Sequence, residues 1–266
     1  MNWFEVFVLS LIQGITEFLP VSSSAHLVLA PHIFGWQDQG LAFDVAVHFG
    51  TLFAVMIYFK NEILLLLKDW FYSLKTGKNV GESTLAWGII IATAPACIAG
   101  LLFNDMIEAY LRSPLIIAAT TVIFGIVLFI ADRFSGKKDE KNITLYIALF
   151  IGLAQMLALI PGVSRSGITL SAALLLGFGR VSAARFSFLL SIPIILLASG
   201  YEGLKLLQSS HDAEWSKIAG AVVISFLSGY ACIHLFLKAV SKFSITPFVI
   251  YRLMLGIALF LLFWNA

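Results

Sequence analysis

The chain has 266 residues, is 60% hydrophobic and only 12% charged, and carries a net charge of +2. Soluble domains average about 25% charged residues, so this composition excludes a soluble domain and predicts a polytopic membrane protein. The small net charge by itself says nothing of a nucleic-acid partner; the basic residues form short loops and no concentrated patch, so membrane lipids and no nucleic acid are expected as partners. Cys97 and Cys232 each lie in a long apolar run and are expected as small buried side chains, with no disulfide or metal framework. The N-terminus, MNWFEVFV, lacks the basic region of a cleaved signal peptide and is expected to be retained.

In chain order, the first apolar pieces are short. Val6–Ile12 and Leu27–Ala30 flank the polar stretch QGITEFLPVSSSAH, residues 13–26. Glu17, Pro20 and the serines interrupt any span there, so the stretch reads as a re-entrant helix–turn–helix hairpin. Irregular backbone at membrane depth survives only inside protein or beside a wet cavity. Long apolar runs follow at Leu41–Phe59, Thr84–Phe103, Leu115–Ile130, Ile143–Ile160, Ala184–Leu204, Ile218–Leu237 and Pro247–Trp264. Most are close to the roughly 20 residues of a membrane-spanning helix. Residues 155–183 break up as residues 13–26 do, around Pro161, Gly162, Ser164, Arg165, Ser166 and Gly167.

Lys60, Lys68, Lys75 and Lys78 read as one basic loop, and Arg133, Lys137, Lys138 and Lys141 as a second, two spans later. Lys238 and Lys242 fall on the same side. The opposite loops hold Arg112, Lys205 and Lys217 among Asp105, Glu108, Glu202, Asp212 and Glu214. The positive-inside rule makes the basic side cytoplasmic and places both termini outside. A weak internal repeat accompanies this topology. Gln13 and Gln155 each precede an S-x-S triplet by nine residues, and Pro114–Ile130 and Pro247–Trp264 each close a half. The expected fold is therefore all-α and membrane-embedded, a single membrane domain of two inverted repeats, approximately residues 1–133 and 142–266. Each repeat has one re-entrant hairpin and three transmembrane helices. Paired interrupted segments in inverted halves point to a site near the midplane.

The candidate chemistry lies in the two interrupted stretches. A carboxylate costs about 2.5–3.5 kcal/mol in a membrane, so Glu17 faces a cavity or a partner. Gln13 lies at i−4 on the same helical face, and the two oxygens suit a divalent cation or a water. Pro20 followed by Ser22, Ser23 and Ser24 is a helix-start arrangement, whose free N–H groups suit an anion. His26 lies at i+4 from Ser22 and i+3 from Ser23, so either pairing sets a hydroxyl beside an imidazole. Serines that merely cap a helix beside a surface histidine remain the competing reading. Arg165, in PGVSRSG, has a planar fork suited to phosphate or carboxylate. Gly162 and Gly167 allow close backbone approach, and Ser164, Ser166 and Thr169 add donors. A structural Arg165–Glu17 ion pair is an alternative, and the two readings join if the pair opens for phosphate. Asp44 and His48, at i and i+4, either line the cavity or sit at the water interface. Arg252 either reaches the site or snorkels to the cytoplasmic face, with snorkelling or structural pairing the favoured reading. His32, His211 and His234 have no evident partner.

QGITEFLPVSSSAH and LALIPGVSRSGIT resemble the two signature segments of the undecaprenyl-diphosphate phosphatase family, the bacitracin-resistance type. FSFLLSIP at Phe186–Pro193 and ITPFVIYR at Ile245–Arg252 are also similar to that family, and the resemblance covers essentially the whole chain. It implies an integral membrane hydrolase of the bacterial cytoplasmic (inner) membrane. That enzyme would remove one phosphate from a C55 isoprenyl diphosphate, with an active site opening toward the periplasmic side. It would recycle the lipid carrier for peptidoglycan and other envelope polymers and confer bacitracin resistance. It also implies a divalent cation, Mg²⁺ or Ca²⁺. By matching position, Gln13 and Glu17 are the metal residues. Glu17, Ser23, His26 and Arg165 are catalytic. Ser22, Ser164, Arg165, Ser166, Gly167 and Thr169 hold the substrate phosphate. Gln13 stands where some members have a second Glu, so metal coordination rests more heavily on Glu17. A flippase or transporter of polyprenyl phosphate is the rival function, and the partner is a lipid diphosphate in either case. The sequence leaves a homodimer open.

Overall fold

A computed structural model describes residues 1–111, 113–208 and 214–264, without the side chains of residues 32, 104, 105, 108 and 205–208. Arg112, His211 and Asp212 therefore lie outside the described residues, as do the side chains of His32, Asp105, Glu108 and Lys205. Eleven α-helices make up the described fold, with two short 3-10 turns and no named strand among the described residues. Among these residues, six helices are long and apolar enough to cross a membrane: α3 (Leu41–Tyr58), α5 (Ser83–Tyr110), α6 (Pro114–Asp132), α9 (Arg180–Gln208), α10 (Trp215–Val240) and α11 (Thr246–Phe263). Leu101, Leu227 and Leu261 are exposed on their outer faces, the surface expected against lipid.

The other helices follow from local chemistry. α1 (Trp3–Phe18) starts in a capping box, in which Asn2 Oδ1 accepts from Glu5 N–H and Glu5 Oε2 accepts from Asn2 N–H, both at 2.9 Å. It stops at Leu19, whose extended conformation is the one favoured before proline. α2 (Ser23–Phe34) then runs to Gly35, a left-handed cap. In the second half, α7 (Leu145–Met156) passes through a 3-10 turn at Leu157–Leu159 into the Pro161–Gly162 break, and α8 (Arg165–Leu175) follows. The apolar run Ile143–Ile160 thus yields a helix of only 12 residues, because its end already belongs to the break.

One expectation is corrected. Lys60, Lys68 and Lys75 do not lie in a loop; they belong to α4 (Lys60–Thr76), which ends at left-handed Gly77, and Lys78 follows it. Positive residues interleaved with Leu and aromatic residues over 17 positions suit an amphipathic helix lying at an interface.

Small residues bring the helices together. A Cβ on Gly14 of α1 would stand 1.8 Å from Ser228 Oγ of α10, and one on Gly50 of α3 would stand 1.9 Å from Ser225 Oγ. On the other side, a Cβ on Gly152 of α7 would lie 2.5–2.9 Å from the backbone of Ala92 in α5. Apolar bodies offer no hydrophobic drive in lipid, so close backbone approach supplies the packing instead. α6 and α11 pack side by side. At one end of the bundle Arg180 meets Asp132 at 2.6 Å, and Arg185 bridges Glu62 and Glu140, both at 2.7 Å.

Gly152→Ala is expected to destabilise the detergent-solubilised protein by about 1–3 kcal/mol, since the Ala92 backbone must move. Gly200→Ala, within α9 and with no atom near its Cβ, is expected to be neutral or to stabilise by up to about 1 kcal/mol. Thermal unfolding of the two variants side by side checks the contrast.

Candidate active site

Two helix breaks meet in the middle of the bundle. Ser22 and Ser164, the N-caps of α2 and α8, have φ of 71° and 70°, and they are the non-glycine residues with positive φ among the described residues. That conformation costs a β-carbon residue on the order of 1–3 kcal/mol, so tertiary contacts must impose it. Ser22 Oγ lies 3.2 Å from Ser24 Oγ, and Ser164 Oγ lies 3.2 Å from Ser166 Oγ. Ser166 Oγ also donates to Leu19 O at 2.8 Å, tying the second break to the first.

The convergence leaves a cavity of about 250 Å³. Its polar wall is Glu17, Ser22, Ser23, Ser24, His48, Gln155, Ser164 and Arg165, with Ser199 on α9. Its apolar wall comes from α5, the Leu157–Leu159 turn and the far part of α9, including Ala96, Leu159 and Ala198. Glu17 is the hub. Its Oε1 accepts from Arg165 Nη2 at 2.6 Å, and its Oε2 accepts from Ser23 Oγ at 2.8 Å and from Gln13 Nε2 at 3.0 Å. His48 Nε2 stands 3.9 Å from the same Oε2. A residue pair 148 positions apart in sequence thus forms a part-buried, charge-assisted contact.

The sequence candidates divide into two groups. Glu17, Ser22, Ser23, Ser164 and Arg165 line the cavity together. His26 is placed otherwise. Its Nδ1 lies 2.7 Å from Ser22 O and its Nε2 2.5 Å from Tyr251 Oη, with the two rings stacked. Both nitrogens are engaged, so the expected Ser–His pairing does not form; the acceptor beside Ser23 is Glu17. The helical offset puts His26 within reach, but the carbonyl of Ser22 is nearer than either hydroxyl. Thr169 is also turned away: its hydroxyl donates to Arg165 O at 2.9 Å and lies 2.6 Å from Ser187 Oγ. Ser166 is buried between the two breaks, and Gly167 N–H is taken by Ser164 Oγ at 3.1 Å, so these three support the site rather than line it.

Three contributors are only weakly marked in the sequence. His48 lines the cavity, one turn from Asp44, whose carbonyl lies 2.7 Å from His48 Nδ1. Gln155 lines it as well, although only its spacing to Ser164 stands out. Arg252 neither snorkels nor meets an acid; it is fully buried, and its guanidinium donates to four backbone carbonyls.

A cavity holding a serine, a carboxylate and an arginine beside helix N-termini suits an anion and a displacement at it. A family model described as bacitracin resistance protein BacA matches residues 6–258. The chain belongs to the BacA family. An undecaprenyl-diphosphatase of Campylobacter curvus (strain 525.92) is 59% identical over 263 residues, covering 99% of this chain and 100% of that protein. Undecaprenyl-diphosphatases of Saccharophagus degradans (58% over 267 residues, all of both chains) and Hahella chejuensis (57% over 259 residues, 97% of both chains) are similar over the same range. Both interrupted stretches of this BacA-family chain fall within the matched residues.

The Glu17–Arg165 contact has a measurable consequence. Removing one partner strands a buried charge, at about 3–5 kcal/mol. Glu17→Ala and Arg165→Ala are each expected to lower thermal stability more than the double variant does. Thermal unfolding of the three proteins in detergent gives the coupling directly.

Proposed function

We propose that this protein hydrolyses undecaprenyl diphosphate to the monophosphate and inorganic phosphate, recycling the lipid carrier of cell-wall synthesis and conferring bacitracin resistance. The observation that carries the reading is the cavity in which Glu17 contacts both Ser23 and Arg165, in a chain whose relatives are undecaprenyl-diphosphatases over their full length.

The diphosphate enters the cavity and its isoprenyl tail remains in the bilayer, beside the apolar wall of α5 and α9. Phosphate oxygens displace Glu17 from Arg165, whose fork holds them bidentately. α2 has no side-chain cap, so its first-turn N–H groups add to this hold. Ser23 Oγ donates to Glu17 Oε2, which fixes the hydroxyl's lone pair for attack and gives its proton an acceptor. Attack at the terminal phosphorus expels the lipid monophosphate, and water then hydrolyses the phosphoserine. Positioning and charge stabilisation supply most of phosphoryl-transfer catalysis. His26, with its ring nitrogens on Ser22 O and Tyr251 Oη, holds the start of α2 in this reading.

A divalent cation, Mg²⁺ or Ca²⁺, belongs to the proposal. Among the described residues no group of three or more His, Cys, Asp or Glu forms a metal cage. Gln13 Oε1, however, is buried without a hydrogen-bond partner beside Glu17. Magnesium sites commonly use one or two carboxylates, waters and substrate phosphates, which this donor set suits. Glu17 and Gln13 would hold the ion, and it would offset the charge of the diphosphate.

We also infer two inverted repeats with re-entrant α1–α2 and α7–α8 hairpins. Matched backbone at Ser22 and Ser164, matched serine pairs and two proline-led helices packed on each other, α6 and α11, support this. The site then opens on the outer, periplasmic side of the inner membrane. Ala198 lies about five helical turns along α9 from Arg180, which sits at the end carrying most lysines and arginines.

Phosphate release from undecaprenyl diphosphate by the purified protein in detergent tests the reading. Ser23→Ala and Arg165→Ala are each expected to lose at least about 100-fold in turnover, the scale of one oxyanion contact. A chelator is expected to abolish turnover and Mg²⁺ or Ca²⁺ to restore it. A pure flippase releases no phosphate, and that result would overturn the hydrolase reading.

A further inference from the structure

We propose that Arg252 is a positioning residue of the active site, acting as a cationic staple that sets the two helix breaks in their reactive geometry. The inference rests on the phosphatase reading above.

Arg252 lies on α11 and is fully buried. Its Nε donates to Thr121 O at 3.2 Å and its Nη1 to Pro20 O at 3.2 Å. Its Nη2 donates to Gly162 O at 2.9 Å and to Val163 O at 3.0 Å. Pro20 lies two residues before Ser22, and Gly162 and Val163 immediately precede Ser164. Three of the four carbonyls that Arg252 collects thus lead into the two left-handed serines, and the fourth, Thr121 O, ties the fork to α6. Buried carbonyls need donors, and no helix supplies them at a break. One planar fork satisfies both breaks at once and fixes their separation. An ammonium radiates its donors from one point and is not shaped for acceptors spread around a plane.

The staple acts through other residues. The breaks carry Ser22 and Ser23 on one side and Ser164 and Arg165 on the other, all facing the cavity. Arg252 does not line that cavity, so its effect is on where those groups stand. A misplacement of about 1 Å costs on the order of 100-fold in rate. The loss falls on turnover more than on the Michaelis constant, since Arg165 and the substrate tail still bind.

The test is kcat and KM for phosphate release by full-length wild type, Arg252→Lys and Arg252→Gln, each corrected for the folded fraction from thermal unfolding in detergent. Arg252→Lys is expected to fall roughly 10-fold to 100-fold in kcat with KM within about 3-fold, and Arg252→Gln to fall further. Partial rescue by lysine with a selective kcat effect would not arise from a merely structural role, which changes only the folded fraction. A folded Arg252→Gln with kcat within about 3-fold of wild type overturns the proposal. If neither variant folds, Gly167→Ala decides. Its Cβ would sit 3.1 Å from Arg252 Nη1 and 3.2 Å from Ser164 Cβ, pressing on the staple while leaving Arg252 in place. A fall in kcat on the order of 10-fold supports the staple, and wild-type kcat overturns it. An inactive wild type sinks the phosphatase reading instead, which keeps the two failures distinct.

Discussion

The contact between Arg165 and Glu17 is the constraint around which the molecule is arranged. Two opposite charges at 2.6 Å stand where two interrupted helix pairs meet. Neither charge would be tolerable alone at that depth. The pair therefore sets a requirement on the fold: α1–α2 and α7–α8 must arrive at the same place. The six long helices provide the walls that let them do so, and small residues on α1, α3, α7 and α10 let those walls close.

The site divides its work between the two breaks. The first brings the carboxylate and the hydroxyls, with Glu17 already accepting from Ser23. The second brings the guanidinium and the Ser164 cap. Bonds that cross between them, from Ser166 to Leu19 and from Arg252 to Pro20, Gly162 and Val163, hold the halves together through backbone atoms. Backbone contacts of this kind leave the side chains of Ser22, Ser23, Ser164 and Arg165 free to face the cavity. The same arrangement explains why Thr169 and Ser166 are buried: they form the support beneath the groups that line the site.

Much of this architecture is legible in the amino-acid sequence. Five of the six spans follow from apolar runs to within a few residues, because lipid imposes both length and composition. α5 runs on past its apolar run to Tyr110. α4 escapes a hydropathy reading, because lysine-rich sequence looks like a loop until its register shows an interfacial helix. Glu17, Ser23 and Arg165 stand out because charge and hydroxyl clusters are costly in apolar sequence. Helical spacing points His26 at the hydroxyls, but spacing sets reach and not direction; Tyr251, 225 residues away, decides the direction. Local sequence marks His48 and Arg252 only weakly as belonging to the site.

Residue chemistry read along the chain is enough to place it in a membrane, to locate its two breaks and to say which charges those breaks carry. Hydropathy, proline and the cost of an unpaired charge are local properties, so each can be read one residue at a time. Which of the possible pairings form is decided by tertiary structure. His26 turns to Tyr251, Arg165 meets Glu17, and Arg252 collects carbonyls rather than reaching for water, because those outcomes depend on how segments more than a hundred residues apart are brought together.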